Sequence, residues 1–280
     1  MNPHAAIRTS PLALVNGLWT NRALIFAMTQ REVVGRYRGS VMGLLWSLLT
    51  PLLMLVVYTF VFSVVMKARW SGAGGGGLGE SRAQFAILLF AGLIVHGLFA
   101  EVVNRAPGLV LGNVNFVKRV VFPLEVLPVV MAGAALFHMA VSMLVLLGGV
   151  LVATGSIPWT AVLFPLLLVP LLLLTLGVAW VLASLGVYMR DVGQVVGLLT
   201  TILLFLSPVF FPITAVPEAF RPWMHLNPLT FAIEQSRALL IFGQPPSWGG
   251  LLAYTAASGV FAWAGFAWFQ KTRKGFADVL

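Results

Sequence analysis

The chain has 280 residues, of which 60% are hydrophobic and only 9% are charged, and its mean hydropathy is +0.98. Soluble domains carry about 25% charged residues, so this composition excludes a water-soluble protein and predicts a chain that lies in lipid. The net charge of +9 does not indicate nucleic acid, because the basic residues flank apolar runs, as in a membrane protein. Cysteine is absent, which excludes disulfides, thiolate metal sites and thiol catalysis.

The first 39 residues are predicted to precede the membrane domain. Residues 1–21 contain Pro3 and Pro11, which should break a helix, and they lack the pattern of a signal peptide, so they are interpreted as a cytoplasmic lead-in. Residues 22–38 can form one helix with a charge-free stripe made of Phe26, Val33, Val34 and Tyr37. This pattern favours an amphipathic helix in the membrane interface, with a short solvated helix as the alternative.

The first membrane span is predicted at 40–66, directly after the basic residues Arg31, Arg36 and Arg38. The run is free of charge and longer than the ~20 residues that cross the hydrocarbon core as a helix. Pro51 is expected to kink it. The glycine-rich stretch 71–79 that follows is interpreted as a flexible outer connector.

Five further apolar runs predict five more spans, so the expected fold class is an all-α integral membrane protein with six transmembrane helices. The predicted spans are 84–103, 126–153, 159–188, 194–213 and 250–270. Glu101 and Arg105 are spaced to pair across one helical turn.

Segment 214–248 is too polar to span the membrane and too apolar for an ordinary loop. It predicts short re-entrant helices in the outer leaflet, whose exposed backbone ends the protein must bury. Asn227 and Pro228 favour a helix start, and Gly243 favours a stop. A pair of amphipathic surface helices is the alternative.

The distribution of the 17 Lys and Arg residues predicts the topology. Twelve flank the predicted inner ends, and five fall at outer positions, namely Lys67, Arg69, Arg82, Arg221 and Arg237. Since short basic flanks stay on the cytoplasmic side, both termini are predicted in the cytoplasm. The chain then divides into a lead-in (1–39), a membrane domain (40–270) and a cytoplasmic tail (271–280).

Ionisable residues at mid-membrane depth are rare, which disfavours a transporter driven by protons or sodium. Only His96 and His138 come near that depth, and a lone histidine in an apolar helix is typical of hydrogen-bonded packing. Ser258 with His138 is the only combination reminiscent of a nucleophile and its base, and nothing in their spacing links them. No catalytic residue and no metal site is predicted.

Aromatic side chains cluster in the outer halves of the first and fifth predicted spans. They are Tyr58 and Phe62 in the first span, and Phe205, Phe210 and Phe211 in the fifth. Sugar rings stack their C–H faces on aromatic rings, so a passage lined by these residues would suit a carbohydrate. Lipid-facing bulk and interface anchoring are the alternatives.

Four stretches of the chain resemble the transmembrane permease of bacterial polysaccharide ABC exporters of the O-antigen type, within the type-2 ABC permease family. They start at Arg36, Asn113, Tyr188 and Leu206 and read RYRGSVMGLLWSLLTPLLMLVVYTFVF, NVNFVKRVVFPLEVLP, YMRDVGQVV and LSPVFFPITAVPEAFRPWMHLNPLTFAIEQSRALL. The resemblance runs from about Leu24 to Lys274 and departs from the family in the connector 71–79.

This resemblance implies a permease that exports lipid-linked polysaccharide, O-antigen foremost, across the bacterial inner membrane. It implies a homodimer among membrane lipids, docked on a separate ATP-binding cassette ATPase, with no nucleic acid partner. ATP and magnesium would lie on the ATPase, and no cofactor is expected in this chain. The alternatives are export of teichoic acid or capsular polysaccharide, or a membrane-embedded lipid-processing enzyme.

The resemblance also implies roles for particular residues. The loop 104–125 would couple to the ATPase through Asn115, Phe116, Lys118 and Arg119. The helix before the first span would gate substrate entry, and Arg31, Arg36 and Arg38 would meet an anionic lipid head group there. For these arginines, a role in topology alone is the alternative. Tyr58, Phe62 and Phe205 are expected to face the interior of the dimer.

Overall fold

The computed structural model describes residues 9–65, 82–117 and 122–280, and every regular element in those ranges is helical. The predicted all-α fold class is therefore confirmed. The glycine-rich connector 71–79 and the predicted coupling residues Lys118 and Arg119 lie outside the described residues.

Two helices precede the first span, α1 (Pro11–Thr20) and α2 (Arg22–Tyr37). The expectation that Pro11 breaks a helix is wrong, because Pro11 occupies the first turn of α1, where its missing N–H costs no hydrogen bond. The Ser10 hydroxyl caps this helix by accepting from the Ala13 N–H at 3.2 Å. Helix α2 matches the predicted helix over 22–38.

Five helical stretches are long and apolar enough to cross a membrane, namely Gly43–Phe62, Gln84–Arg105, Val126–Thr154, Trp159–Tyr188 and Trp248–Val279. The first contains α3 (Trp46–Tyr58), with Pro51 inside, and continues as a π-helix over Thr59–Val65. The others contain α4 (Arg82–Arg105), then, after the short α5 (Val114–Val117), α6 (Val126–Thr154) and α7 (Phe164–Tyr188).

The fifth predicted span, 194–213, is only partly helical. Helix α8 (Val192–Leu206) has 15 residues, which at 1.5 Å per residue is ~22 Å and less than the ~30 Å hydrocarbon core. Five of the six predicted spans therefore correspond to helices of spanning length, and the remaining one, 194–213, corresponds to the shorter α8. After it come α9 (Arg221–Leu226), α10 (Pro228–Leu240), α11 (Trp248–Thr272) and α12 (Phe276–Val279).

Segment 214–248 does contain two short helices, as predicted. Asn227 caps α10 by accepting from the Leu229 N–H at 3.0 Å, with Pro228 in the first turn, as the sequence indicates. The helix ends at Leu240, and Gly243 follows just past the C-cap with a positive φ of 65°, where the Gln244 N–H donates back to the Ala238 carbonyl at 2.9 Å, so Gly243 ends the helix as the sequence predicts.

Helix α4 is the centre of the protomer, since it packs against α3, α6, α7, α8 and α10 and is largely buried. Helices α7 and α11 form the most extensive contact among the described helices. They approach through glycine, because a Cβ added at Gly265 would lie only 2.3 Å from the Gly177 carbonyl oxygen. Helix α3, in contrast, leaves most of its surface uncovered.

One end of the bundle gathers the N-terminal helices, the loop 104–125 and the residues after α11. The Trp263 indole of α11 donates to the Thr9 carbonyl at 2.8 Å, and Arg273 pairs with Glu125 at 2.7 Å. Helices α9 and α10 lie at the other end, where the Thr160 hydroxyl donates to the Leu239 carbonyl at 2.6 Å. Helices α1 and α12 therefore lie at one end of the bundle, and the side of the membrane that this end faces stays a prediction.

Candidate functional site

Helix α2 is docked along α6 at the end of the bundle that holds α1 and α12. Val33 is buried in this contact, and a Cβ added at Gly133 would lie 2.9 Å from the Thr29 hydroxyl. The predicted charge-free stripe is therefore divided. Val33 is covered by the bundle, whereas Phe26 and Val34 stay exposed at 73% and 54%.

An ion-pair network joins α2 to α4 and α6. The Arg36 guanidinium pairs with the Glu101 carboxylate and lies 3.0 Å from His138 Nδ1, which is itself 3.1 Å from Glu101 Oε1. Arg105 pairs with Glu32 of α2 and approaches Glu101 at 3.8 Å, so the predicted Glu101–Arg105 pair is present. His138 is thus a hydrogen-bonded packing residue, as expected.

The three predicted head-group arginines have different surroundings. Arg36 lies inside the network and, with Glu32, Gly35 and Arg105, lines an open cavity of about 450 Å³. Arg31 and Arg38 are exposed and have no ion-pair partner within the ranges that the structure describes. Tyr37 lies beside the network, where burial raises the pKa of its phenol and keeps it neutral.

Helix α8 has three distinct faces, which follow from a turn of about 100° per residue. Its buried face is fastened to α4, because the Thr200 hydroxyl donates to Asn104 Oδ1 at 2.8 Å and His96 Nε2 donates to the Thr200 carbonyl at 3.2 Å. A second face is exposed and wholly apolar, and consists of Val195, Leu199, Ile202 and Leu206.

The third face of α8 is exposed and polar, and we call it the α8 strip. It runs from Arg190, just before the helix, through Gln194, Gly197 and Thr201 to Phe205, which is 63% exposed. The first four of these residues line an open groove of about 610 Å³, together with Gly193 and Leu198. Apart from Arg190 at its inner end, the strip is uncharged. Gln194 and Thr201 give it polar groups, and Leu198, which is 62% exposed, lies between them on the same face.

Four of the five predicted passage aromatics come together at the outer end of this strip. The Phe210 ring lies between Phe205, at a centroid distance of 5.5 Å, and Phe62, at 6.3 Å. Phe62 in turn lies 6.4 Å from Tyr58. Within the protomer only Phe205 is mostly exposed, while Tyr58, Phe62 and Phe210 are half-buried. Phe211 takes part in none of the described ring contacts.

The buried cation Arg237 fixes the chain reversal that places Phe210. Its guanidinium donates to the carbonyls of Leu88, Pro208 and Val209 at 2.9, 2.6 and 2.8 Å. It also pairs with Glu234 at 3.1 Å, one turn earlier on α10, as the spacing predicts. These bonds hold α10 against α4 and against the non-helical residues that follow α8.

The predicted coupling loop packs closely against α7 at its start. The Pro107 carbonyl lies over Gly186 of α7, and a Cβ added at Gly186 would be only 2.0 Å from that oxygen. Asn115 is exposed on α5. Phe116 is half-buried and stacks on Phe122 at 4.3 Å, so its ring already has an intramolecular partner.

Sequence reasoning missed Gln194, Thr201 and the wider role of Arg237. Gln194 and Thr201 could have been found from their spacing with Phe205, which puts all three on one helical face. The carbonyl partners of Arg237 lie far away in the chain, so no local pattern indicates them. The Ser258–His138 combination is not assembled, since α11 packs on α7 whereas α6 packs on α2, α3, α4 and α7.

Comparison with known proteins assigns this architecture to a family. The ABC-2 type transporter family matches residues 23–241. The chain is 31% identical over 272 residues to the O-antigen export system permease protein RfbA of Myxococcus xanthus, covering 95% of this chain and 99% of that protein. It is 25% identical over 260 residues to the RfbA protein of Klebsiella pneumoniae, covering 92% and 95% of the two chains.

A further relative is the polysialic acid transport protein KpsM of Escherichia coli, 23% identical over 231 residues, which are 81% of this chain and 85% of that protein. The family match covers helices α2 to α10, which include the α8 strip and the loop 104–125 that is predicted to couple to the ATPase. On this match, and on the similarity to RfbA over nearly the whole length, the chain belongs to the ABC-2 type transporter family.

Proposed function

We propose that this chain is the permease subunit of an ATP-driven exporter that moves lipid-linked polysaccharide, of the O-antigen kind, across the bacterial inner membrane. The observation that carries the proposal is the α8 strip, an exposed helix face that carries Gln194 and Thr201 and leads to a cluster of aromatic rings. The Gln194 amide on this face is poorly suited to lipid, which offers it no hydrogen-bond partner, whereas the Thr201 hydroxyl already donates to the Gly197 carbonyl at 2.9 Å.

The chemistry of the strip fits a sliding carbohydrate. Gln194 and Thr201 offer an amide and a hydroxyl, which can exchange hydrogen bonds with sugar hydroxyls without strong charge attraction. Gly197 between them leaves room for a ring to pass close to the backbone. Phe205 and Phe210 then offer flat apolar faces on which sugar rings can stack and move.

A second copy of the chain would complete the passage. Helix α3 exposes a broad apolar surface, including Leu48, Leu52, Met54 and Val56, and the apolar face of α8 is uncovered as well. We propose a homodimer in which these faces meet lipid or the partner copy, and the α8 strips of both copies face one another. Tyr58, Phe62 and Phe205 would then lie at or just behind the lining.

The lipid-linked end of the substrate would enter beside α2. Arg31 and Arg38 are exposed cations at that end of the bundle, and guanidinium groups bind phosphate oxygens in a bidentate manner. Arg36 is engaged with Glu101 and His138, so we assign it to holding α2 in place rather than to binding the head group first.

The energy would come from a separate ABC ATPase that docks on the loop 104–125, with ATP and magnesium bound there. The relatives are named as transport permeases, which argues against a lipid-processing enzyme. Capsular polysaccharide is the second candidate substrate, because KpsM and a capsule export protein of Neisseria meningitidis are also relatives. O-antigen comes first, since the RfbA proteins align over more of the chain.

The α8 strip can be tested in cells whose own permease has been deleted and replaced by variants. Gln194→Leu and Thr201→Val should reduce surface polysaccharide roughly two- to tenfold, the range expected from losing one net hydrogen bond. The neighbouring changes Val195→Leu and Ile202→Val, on the apolar face, should leave export unchanged. Equal effects of both pairs, at equal expression, would contradict a passage along this strip.

A further inference from the structure

The residues after α11 fold back onto the bundle, although the sequence predicts only a basic cytoplasmic tail over 271–280. Phe276, the first residue of α12, is fully buried. Its ring lies 5.5 Å from Phe269 and 6.0 Å from Tyr188, measured between centroids. We call residues 273–280 the C-terminal segment, and it is part of a packed core rather than a free tail.

Polar contacts tie this segment to the place where the coupling loop ends. Arg273 Nη1 pairs with Glu125 Oε2 at 2.7 Å, and Glu125 is the last residue before α6. The Glu125 carbonyl also accepts from the Trp180 indole of α7 at 3.1 Å. The Tyr188 hydroxyl donates to the Thr272 carbonyl at 2.9 Å, which fixes the start of the segment on α7.

The same apolar cluster supports both the C-terminal segment and the coupling loop. Its buried members include Val110 and Leu124 of the loop and Phe276 of the segment. Phe116, Phe122 and Leu280 pack on it from the edge. Removing the Phe276 ring would therefore open a cavity in the cluster against which the loop residues pack.

We propose that the C-terminal segment is a brace that positions the coupling loop 104–125 for its ATPase. This inference rests on the proposed function, since it takes that loop as the docking element. A loop with only short helices of its own can transmit a push only if a packed surface lies behind it. Arg273 and Phe276 are positioning residues in this account, and they act through Glu125 and the loop rather than by touching ATP or substrate.

The first test measures the loop directly, without the ATPase. Because the chain has no cysteine, a spin label can be placed on Asn115→Cys, which is exposed in the loop, or on Trp223→Cys at the far end of the bundle. Phe276→Ala should increase the mobility of the label at position 115 and leave that at position 223 unchanged. Val279→Ala, which changes an exposed side chain of the same helix, is the matched control and should change neither.

A second pair of variants keeps the test valid if Phe276→Ala does not fold. Arg273→Glu places two carboxylates together and should loosen the loop, whereas Arg273→Glu combined with Glu125→Arg should restore the mobility of the wild type. The ATPase should bind roughly tenfold more weakly to Arg273→Glu, a change of about 1.4 kcal/mol, and regain its affinity in the double variant.

These outcomes separate the brace from the docking role. Unchanged mobility at position 115 in both Phe276→Ala and Arg273→Glu would overturn the brace. Increased mobility with weaker ATPase binding supports the brace and the docking loop together. Increased mobility with unaltered ATPase binding supports the brace and contradicts only the assignment of 104–125 as the docking element.

Discussion

At the scale of single residues, Arg237 shows how a buried charge can be surrounded by hydrogen-bond acceptors. It is only 2% exposed, and yet three carbonyl oxygens and the Glu234 carboxylate surround its guanidinium. Two of those carbonyls belong to the non-helical residues after α8, which have no helical partner of their own. The arginine therefore satisfies backbone groups that lipid could not satisfy.

Arg237→Ala should destabilise the protein by about 3–5 kcal/mol, because it leaves the Glu234 carboxylate and several carbonyls unpaired inside the bundle. Arg221→Ala is the matched control, since Arg221 makes the same one-turn pair with Glu218 at 3.5 Å and also donates to the Val216 and Thr214 carbonyls, but is far more exposed. That pair should contribute about 1 kcal/mol or less. Thermal unfolding in detergent measures both, and equal losses would contradict the structural role of Arg237.

At the scale of elements, helix α2 shows what a sequence pattern can and cannot predict. Its position and length follow from the basic residues and the charge-free stripe, and its place in the membrane interface stays a prediction. Which part of the stripe is buried depends on Gly133 of α6, whose missing side chain admits Thr29. That contact joins residues about a hundred positions apart, so the local pattern predicts the helix but not its docking.

We expect α2 to detach partly when the network at its inner face is removed. Glu101→Ala leaves Arg36, Arg105 and His138 without their shared carboxylate. In this cysteine-free chain, Val33→Cys should react slowly with a thiol reagent and roughly tenfold faster after Glu101→Ala, equivalent to about 1.4 kcal/mol of docking energy. Val34→Cys, exposed in the next position, should react quickly in both backgrounds. An unchanged rate at Val33→Cys would contradict a role of the ion-pair network in docking α2.

At the scale of the whole molecule, composition and hydropathy predict an all-α membrane protein, and five of the predicted spans correspond to helices of spanning length. Hydropathy does not predict where α8 ends, because the apolar run continues through Phe210 and Phe211 although the helix ends at Leu206. Pro208 and Pro212 remove backbone donors there, and Arg237 binds the carbonyls that the break sets free. A hydropathy average does not detect such a break in the helix. Arg237, which stabilises the break, lies on α10 and is distant in sequence.

The shared end of the bundle makes the topology testable with two exposed positions. In intact cells, Trp223→Cys on α9 should react with a membrane-impermeant thiol reagent, and Val279→Cys on α12 should react only after lysis. The physical reason is that the Lys and Arg residues around α2 and α12 favour the cytoplasmic side. Reaction of Val279→Cys but not Trp223→Cys in intact cells would show the opposite orientation.

The central claim is that this permease moves a lipid-linked polysaccharide along α8 when its ATPase hydrolyses ATP. The direct measurement is transport in vesicles that contain the permease, its ATPase and lipid-linked O-antigen. Polysaccharide that has reached the lumen is measured as the fraction protected from a sugar-oxidising reagent added outside. We predict protection that needs ATP and the ATPase, that falls with Gln194→Leu and Thr201→Val, and that persists with Val195→Leu. Protection that arises without ATP, or that is equally fast in all four proteins, would contradict the account.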